Sequence, residues 1–132
     1  MDVLLHPETI CAVRGIGVLE LETDTIPAAT AVEYEFRAAG PDEVALLFRL
    51  TVVDLVPGEA WFSVVSSQHH TGTYSTYIVE NVVPVALVAP DQGSPTRFVL
   101  GNDGAAAITV TFQWWRIPAG RWAEVQALLG AV

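Results

Sequence analysis

The alternation of apolar and polar residues in the last third of the chain is the clearest structural signal in the sequence. The run from 106 to 117 has the two-residue period of a β-strand, which places successive side chains on opposite faces. One face carries the apolar side chains Ile108, Val110, Phe112 and Trp114, and the other carries Thr109, Thr111, Gln113 and Trp115. Trp115 therefore stands on an otherwise polar face. We expect another layer of the fold, another subunit or a ligand to cover it.

Similar patterns predict further strands over 10–22, 31–37, 43–56, 60–67, 77–83 and 96–100. A helix over 43–50 is an alternative, but the β-branched run Thr51-Val52-Val53 that follows favours a strand. Glycine and proline indicate turns or loops at 24–29, 39–42, 57–59, 90–95 and 101–104. Pro84 indicates a bend or an edge strand. The polar segment 66–75 is expected to be a long loop or an exposed edge.

Many short strands separated by such turns predict an all-β fold, either an antiparallel β-sandwich or a jelly roll. The chain has 132 residues, the length of one domain, and we find no linker or internal repeat. We therefore expect a single β-sandwich domain over 1–132, with 119–132 as a C-terminal helix or arm. A helix this short needs a surface to lie on. Because it directly follows the last strand, it is the first candidate to cover Trp115.

The charge of the chain excludes some partners. Its formal net charge is −9, and all six basic residues are arginine. This balance argues against nucleic acid, which requires a basic surface, and against anionic membranes. We expect no signal peptide, because the N-terminus lacks a basic segment followed by an apolar run and a small-residue cleavage site. No apolar run reaches transmembrane length, since Glu80, Asn81 and Pro84 interrupt the best candidate. Charged residues make up only 16%, so either the core is large or part of the surface is covered.

No motif in the sequence predicts catalysis or a cofactor. His69 and His70 are adjacent; they would point apart on a strand, but in a loop they could bind one metal ion. A zinc site requires three or four ligands. His6 is distant in sequence and could add a ligand only if the fold brings it close to them. Cys11 lies among apolar residues. Ser66 or Ser67 with His69 and Asp54 could be imagined as a triad, but no G-x-S-x-G elbow accompanies them. We expect no catalytic residue, no metal and no cofactor.

Two acidic strands raise a different question. Glu20, Glu22 and Asp24 share one face of an extended chain, and Glu33 and Glu35 share one face of the next strand. If these strands pair, like charges face each other, which is unfavourable. A calcium ion could bind between them, or Arg14 and Arg37 could lie among the acids. We favour a solvated acidic face.

Aromatic residues are the remaining candidates for a binding site. One group could build a platform for a sugar ring, namely Trp61, Tyr74, Tyr77, Trp114 and Trp115. The alternative is that these residues serve core packing and subunit contacts, where tryptophan, tyrosine and arginine are enriched.

A short, acidic, turn-rich all-β chain with one cysteine, little charge, no catalytic motif and aromatic ends resembles the small β-sandwich virion proteins of tailed phages, such as head-decoration or minor capsid proteins. The resemblance covers the whole chain. It implies a non-enzymatic protein that forms homo-oligomeric contacts, for example in a trimer, and that has a capsid as its larger partner. It implies location in the virion, the alternative being the cytoplasm. The expected contact residues are Trp115, Arg116, Trp122, His69, His70 and Tyr74. The alternative function is a carbohydrate-binding β-sandwich module.

Overall fold

The computed structural model of this chain describes residues 14–38, 40, 42–66, 74–89 and 94–130. These residues form eight β-strands, a 3-10 turn and one α-helix. The strands are β1 Val18–Ile26, β2 Thr30–Phe36, β3 Glu43–Val53, β4 Ala60–Ser66, β5 Tyr74–Ile78, β6 Val82–Ala89, β7 Thr96–Asn102 and β8 Ile108–Pro118. The 3-10 turn spans Ala119–Arg121 and helix α1 spans Trp122–Gly130. The prediction of an all-β fold with a short C-terminal helix is confirmed.

The strands form two four-stranded antiparallel sheets. Sheet 1 has the order β1-β8-β3-β6, and sheet 2 has the order β2-β7-β4-β5. The first four strands pair in reverse order with the last four, as β1 with β8, β2 with β7, β3 with β6 and β4 with β5. The chain is therefore one long hairpin rolled up on itself, which is the arrangement of an eight-stranded jelly roll.

The inner faces of the two sheets form the main core. The four apolar residues of β8 that were predicted to share a face, Ile108, Val110, Phe112 and Trp114, are all buried there. Aromatic rings fill the centre: the Phe98 ring lies 5.4 Å from Phe36 and from Phe62, and 5.8 Å from Phe112, between ring centroids. Burying each such side chain contributes about 2 to 3 kcal/mol, so this cluster is the main source of stability.

Two buried polar residues of β7 tie the core together. The Asn102 amide nitrogen donates to the carbonyl oxygens of Ile26, Pro27 and Ala106, at 2.8 to 3.2 Å. At the other end of β7, the Thr96 hydroxyl donates to the carbonyl oxygen of Val88 in sheet 1. Because buried polar groups must be hydrogen-bonded, these two residues hold the strand ends in place.

Several strand boundaries differ from the prediction. β1 continues to Ile26, where a turn was expected, because its last residues pair with β8. β5 begins at Tyr74, inside the predicted polar segment. β6 extends through Pro84 to Ala89, and it is an edge strand, where proline is tolerated. Residues 14–17 are not strand, and the rest of the first predicted strand, 10–13, lies outside the described residues.

Candidate functional site

Trp115 lies on the outer face of sheet 1 and is completely buried. Helix α1 covers it, since Val125 of the helix belongs to the same buried cluster and Trp122 packs against that cluster. The indole nitrogen of Trp115 donates to the carbonyl oxygen of Ile16 at 2.7 Å. Trp115 is therefore covered by another layer of the same chain. Trp115 is not a surface contact of this fold, because a second small core encloses it.

Arg116, the next residue, lies on the opposite face of β8 and binds two carboxylates. Its guanidinium donates to both oxygens of Glu43, at 2.8 and 3.1 Å, and to Glu20. The hydrogen bond from Arg116 holds the pKa of the Glu43 carboxyl below its ordinary value. Arg116 is thus already engaged within the chain. Whether Arg116 and the partly buried Trp122 also contact another molecule stays a prediction.

The remaining predicted contact residues are not placed. His69 and His70 lie outside the described residues, as do His6, Ser67 and Cys11. The backbone of Tyr74 opens β5, but its side chain is outside the described part.

The two acidic strands do not face each other, because β1 and β2 belong to different sheets. Glu33 and Glu35 lie on either side of Arg97, at 2.8 and 3.1 Å. Arg14, which was considered as a partner of the acidic strands, instead approaches Glu124 of helix α1 at 3.4 Å. The charge conflict that suggested calcium therefore does not arise.

Asp24 and Tyr34 join the two sheets at the side where β1 and β2 form the edges. The Tyr34 hydroxyl donates to the Asp24 carboxylate at 2.5 Å. Burial raises the pKa of the Tyr34 phenol above its ordinary value, and the hydrogen bond to Asp24 raises it further. The hydroxyl is therefore a hydrogen-bond donor that holds its proton at neutral pH, which suits a structural tie.

Two kinds of feature are absent from the described residues. No three histidine, cysteine or acidic residues among them are grouped so that they could hold a metal ion. No helix among them is long and apolar enough to cross a membrane.

An aromatic surface remains on the outer face of sheet 2. Trp61 of β4 pairs with Gly101 of β7 on one side and with Tyr77 of β5 on the other. A Cβ atom added to Gly101 would lie 1.9 to 2.4 Å from three atoms of the indole, so the ring lies across β7 in the space that a side chain at 101 would fill. Gly101 is buried beneath it, while Trp61 stays partly exposed and Tyr77 is 60% exposed.

The Asp103 carboxylate lies at the indole N–H edge of Trp61. The indole nitrogen of Trp61 donates to Asp103 at 3.3 Å, which orients the ring along the sheet. The backbone N–H of Asp103 donates to the carbonyl oxygen of Glu59 at 2.7 Å, so the two turns lie together. Asp103 and Glu59 are exposed. We call Trp61, Tyr77, Gly101, Asp103 and Glu59 the Trp61–Tyr77 surface.

Trp61 and Tyr77 were predicted only as two members of the five-residue sugar platform. The glycine at 101 was assigned to a turn, whereas it lies in β7. A glycine within a strand often marks close approach of another group, and here that group is the Trp61 ring. If residue 101 is assigned to the strand, its glycine indicates that another group packs closely there.

No family model and no curated protein matches the sequence. The chain is similar in structure to RmlC from Streptococcus suis in complex with dTDP-D-xylose (13% identity, TM-score 0.47, 83% of this chain and 48% of that one). It is also similar to a Pseudomonas putida prolyl-4-hydroxylase (13%, TM-score 0.48, 84% and 59%) and to the capsular polysaccharide assembling protein CapF from Staphylococcus aureus (10%, TM-score 0.43, 74% and 24%). The chain thus spans about a quarter to three fifths of their lengths.

These comparisons contradict the expected function. A de novo designed double-stranded β-helix is also among the similar structures, and the three proteins above are not virion proteins by name. The prediction of a non-enzymatic capsid decoration protein was wrong, both in its virion assignment and in its exclusion of an enzyme. The likeness concerns the fold, and we transfer no activity or substrate from it.

The sugar platform of five aromatic residues is also absent. Trp114 and Trp115 point to opposite faces of β8 and lie in two separate buried clusters, so neither is available to a ligand. Only Trp61 and Tyr77 of that group form a described aromatic surface.

Proposed function

We propose that this chain is a ligand-binding domain and that it binds through the Trp61–Tyr77 surface. The observation that carries this proposal is the position of the Trp61 ring, which packs one side on the backbone at Gly101 and stays partly exposed. A ring held in this way contributes contact area at little cost in side-chain entropy, because its rotamer is already set.

The neighbouring residues extend this area. Tyr77 is directly opposite Trp61 in the β4–β5 register, and directly opposite residues have Cβ atoms about 5 Å apart. Trp61 and Tyr77 therefore stand side by side on the outer face of sheet 2. Tryptophan and tyrosine are the residue types most enriched where binding energy is concentrated in interfaces.

A second feature supports binding at this place rather than elsewhere on the surface. The hydrogen bond from the Trp61 indole to Asp103 places a carboxylate at the edge of the ring. A ligand can thus stack on the ring and form a directional hydrogen bond beside it. This combination of an apolar surface with few oriented polar groups is typical of ligand sites.

Nuclear magnetic resonance of the full chain tests the proposal. The probes are small ring compounds of different charge: phenol, benzamidine and methyl glucoside. We expect at least one of them to shift the indole N–H signal of Trp61, which is assigned from its loss in Trp61→Phe. The change Trp61→Ala should abolish the binding and Tyr77→Ala should weaken it several-fold.

Leu21→Ala is the matched control, because Leu21 is an exposed apolar residue of sheet 1, 70% exposed. It should leave the binding unchanged. The proposal is overturned if no probe shifts the Trp61 signal at millimolar concentration. It is also overturned if a probe still shifts the backbone amide signals of Gly101 and Asp103 in Trp61→Ala, where the indole signal is missing.

A further inference from the structure

We infer that the group bound at the Trp61–Tyr77 surface is a guanidinium, supplied by an arginine side chain of a basic partner peptide. The inference rests on the proposed function, because it names the chemistry recognised by the same surface. It is argued from the shape of the surface and from the charges that surround it.

The shape favours a planar cation. A guanidinium stacks on the face of an indole, and tryptophan is the best aromatic partner for a cation. Asp103 lies at the edge of the Trp61 ring, where one of its oxygens accepts the indole N–H at 3.3 Å. A guanidinium stacked on the ring can direct its N–H edge toward the second oxygen of this carboxylate. A round ammonium group forms one of these two contacts well, whereas the planar fork forms both.

The charges also favour a cation. Most of the paired carboxylates of the described chain are clustered around three arginines: Glu33 and Glu35 around Arg97, Glu20 and Glu43 around Arg116, and Glu124 beside Arg121. No such pair within the described ranges involves Asp54, Glu59 or Asp103.

Asp54 and Glu59 line a shallow pocket at the end of the sandwich, beside the turn that carries Asp103. The negative charge at this end is therefore not balanced by an arginine within the described residues. An approaching cation gains from this field, as it does from the net charge of −9, while a neutral ligand does not.

The test compares two peptides that differ only in charge. One is a short acetylated glycine peptide with two arginines, and the other has citrulline in both places, which keeps the shape and removes the charge. Titration of the full chain at low salt, followed by the Trp61 indole signal, should give at least about tenfold tighter binding of the arginine peptide. Raising the salt to 0.2 M should reduce this ratio, because the field is screened.

Variants of single acidic residues test which carboxylates bind the guanidinium. Asp103→Asn should weaken binding of the arginine peptide about five- to tenfold and leave binding of the citrulline peptide nearly unchanged. Because Asp103 also holds the Trp61 ring, Glu59→Gln serves as a second variant that keeps that hydrogen bond, with a smaller effect in the same direction. Glu22→Gln, which removes one exposed charge from sheet 1, should have no effect.

The outcomes separate this inference from the proposed function. Equal affinity for both peptides at Trp61 overturns the guanidinium inference but not the proposed binding surface. Binding of ring compounds without any binding of the arginine peptide has the same consequence. Preference for the arginine peptide that persists in Trp61→Ala, followed there by the backbone amide signals of Gly101 and Asp103, overturns the inference as well. If neither the ring compounds nor the peptides shift the Trp61 signal, both proposals fall.

Discussion

Trp115 and Trp61 both stand on the outer face of a sheet, yet one is completely buried and the other is partly exposed. On sheet 1, the chain continues from β8 through a single 3-10 turn into helix α1, which covers Trp115. On sheet 2, no described segment covers Trp61, and the ring lies on the backbone of β7. An aromatic residue on an outer face is therefore evidence for a partner only after the chain's own terminal segments have been placed.

The largest expected effect follows from removing the covered ring. Trp115→Ala should destabilise the protein by roughly 3 to 5 kcal/mol, because it empties a buried site and removes the hydrogen bond to Ile16. Urea denaturation measures this loss, with Trp61→Ala as the comparison at about 1 kcal/mol, since that ring is only partly buried. Equal losses for both variants would contradict the difference between the two faces.

A methyl group beneath the uncovered ring should have the next largest effect. Gly101→Ala places a Cβ atom 1.9 Å from the Trp61 ring, so the indole must leave the strand. We expect a loss of about 1 to 3 kcal/mol and a changed Trp61 indole signal. Gly120→Ala is the control, because nothing lies within 4 Å of its Cβ position. An unchanged indole signal in Gly101→Ala would show that the ring does not lie there.

The hydrogen bond between Tyr34 and Asp24 should contribute less. Tyr34→Phe is expected to cost about 1 kcal/mol at pH 8. Because the pKa of Tyr34 is raised in the folded protein, its contribution is complete below the ordinary tyrosine value and is lost as the pH rises above about 10. The variant should therefore lose less stability than the parent between pH 9 and 11, as followed by urea midpoints. A parallel decline of both proteins would argue against this hydrogen bond.

The smallest effect concerns Glu43 and Arg116. The pKa of Glu43 is lowered in the folded state, so the stability from this pair is present above the ordinary glutamate value of about 4.3 and is lost as the pH falls through the lower folded value. Glu43→Gln should flatten the decline in thermal midpoint between pH 5 and 3. Glu22→Gln, which changes an exposed carboxylate of β1 outside this ion pair, is the control and should retain the full decline.

Local patterns predicted most of the fold. The face assignments of β8 were confirmed residue by residue, and so were the strand character of β3 and the helix after Pro118. These are consequences of side-chain period, β-branching and proline, which act within a few residues. The pairing of the acidic strands was not predictable in this way, because neighbouring strands in sequence entered different sheets.

The candidate site was only partly predictable for the same reason. Trp61 and Tyr77 are visible in the sequence as aromatic strand residues. Their adjacency and the position of the ring over Gly101 depend on pairing between β4, β5 and β7. Gly101 lies 40 positions from Trp61 along the chain, and no local pattern connects them.

The sequence by itself determined that this is an all-β chain, which residues of β8 face inward, and that Trp115 needs a cover. Local stereochemistry is sufficient for these statements, because successive side chains of a strand alternate between faces. The tertiary structure alone decided that helix α1 covers Trp115 and that Trp61 lies uncovered on Gly101. These facts depend on contacts between distant residues, which arise only when the long hairpin is rolled into two sheets.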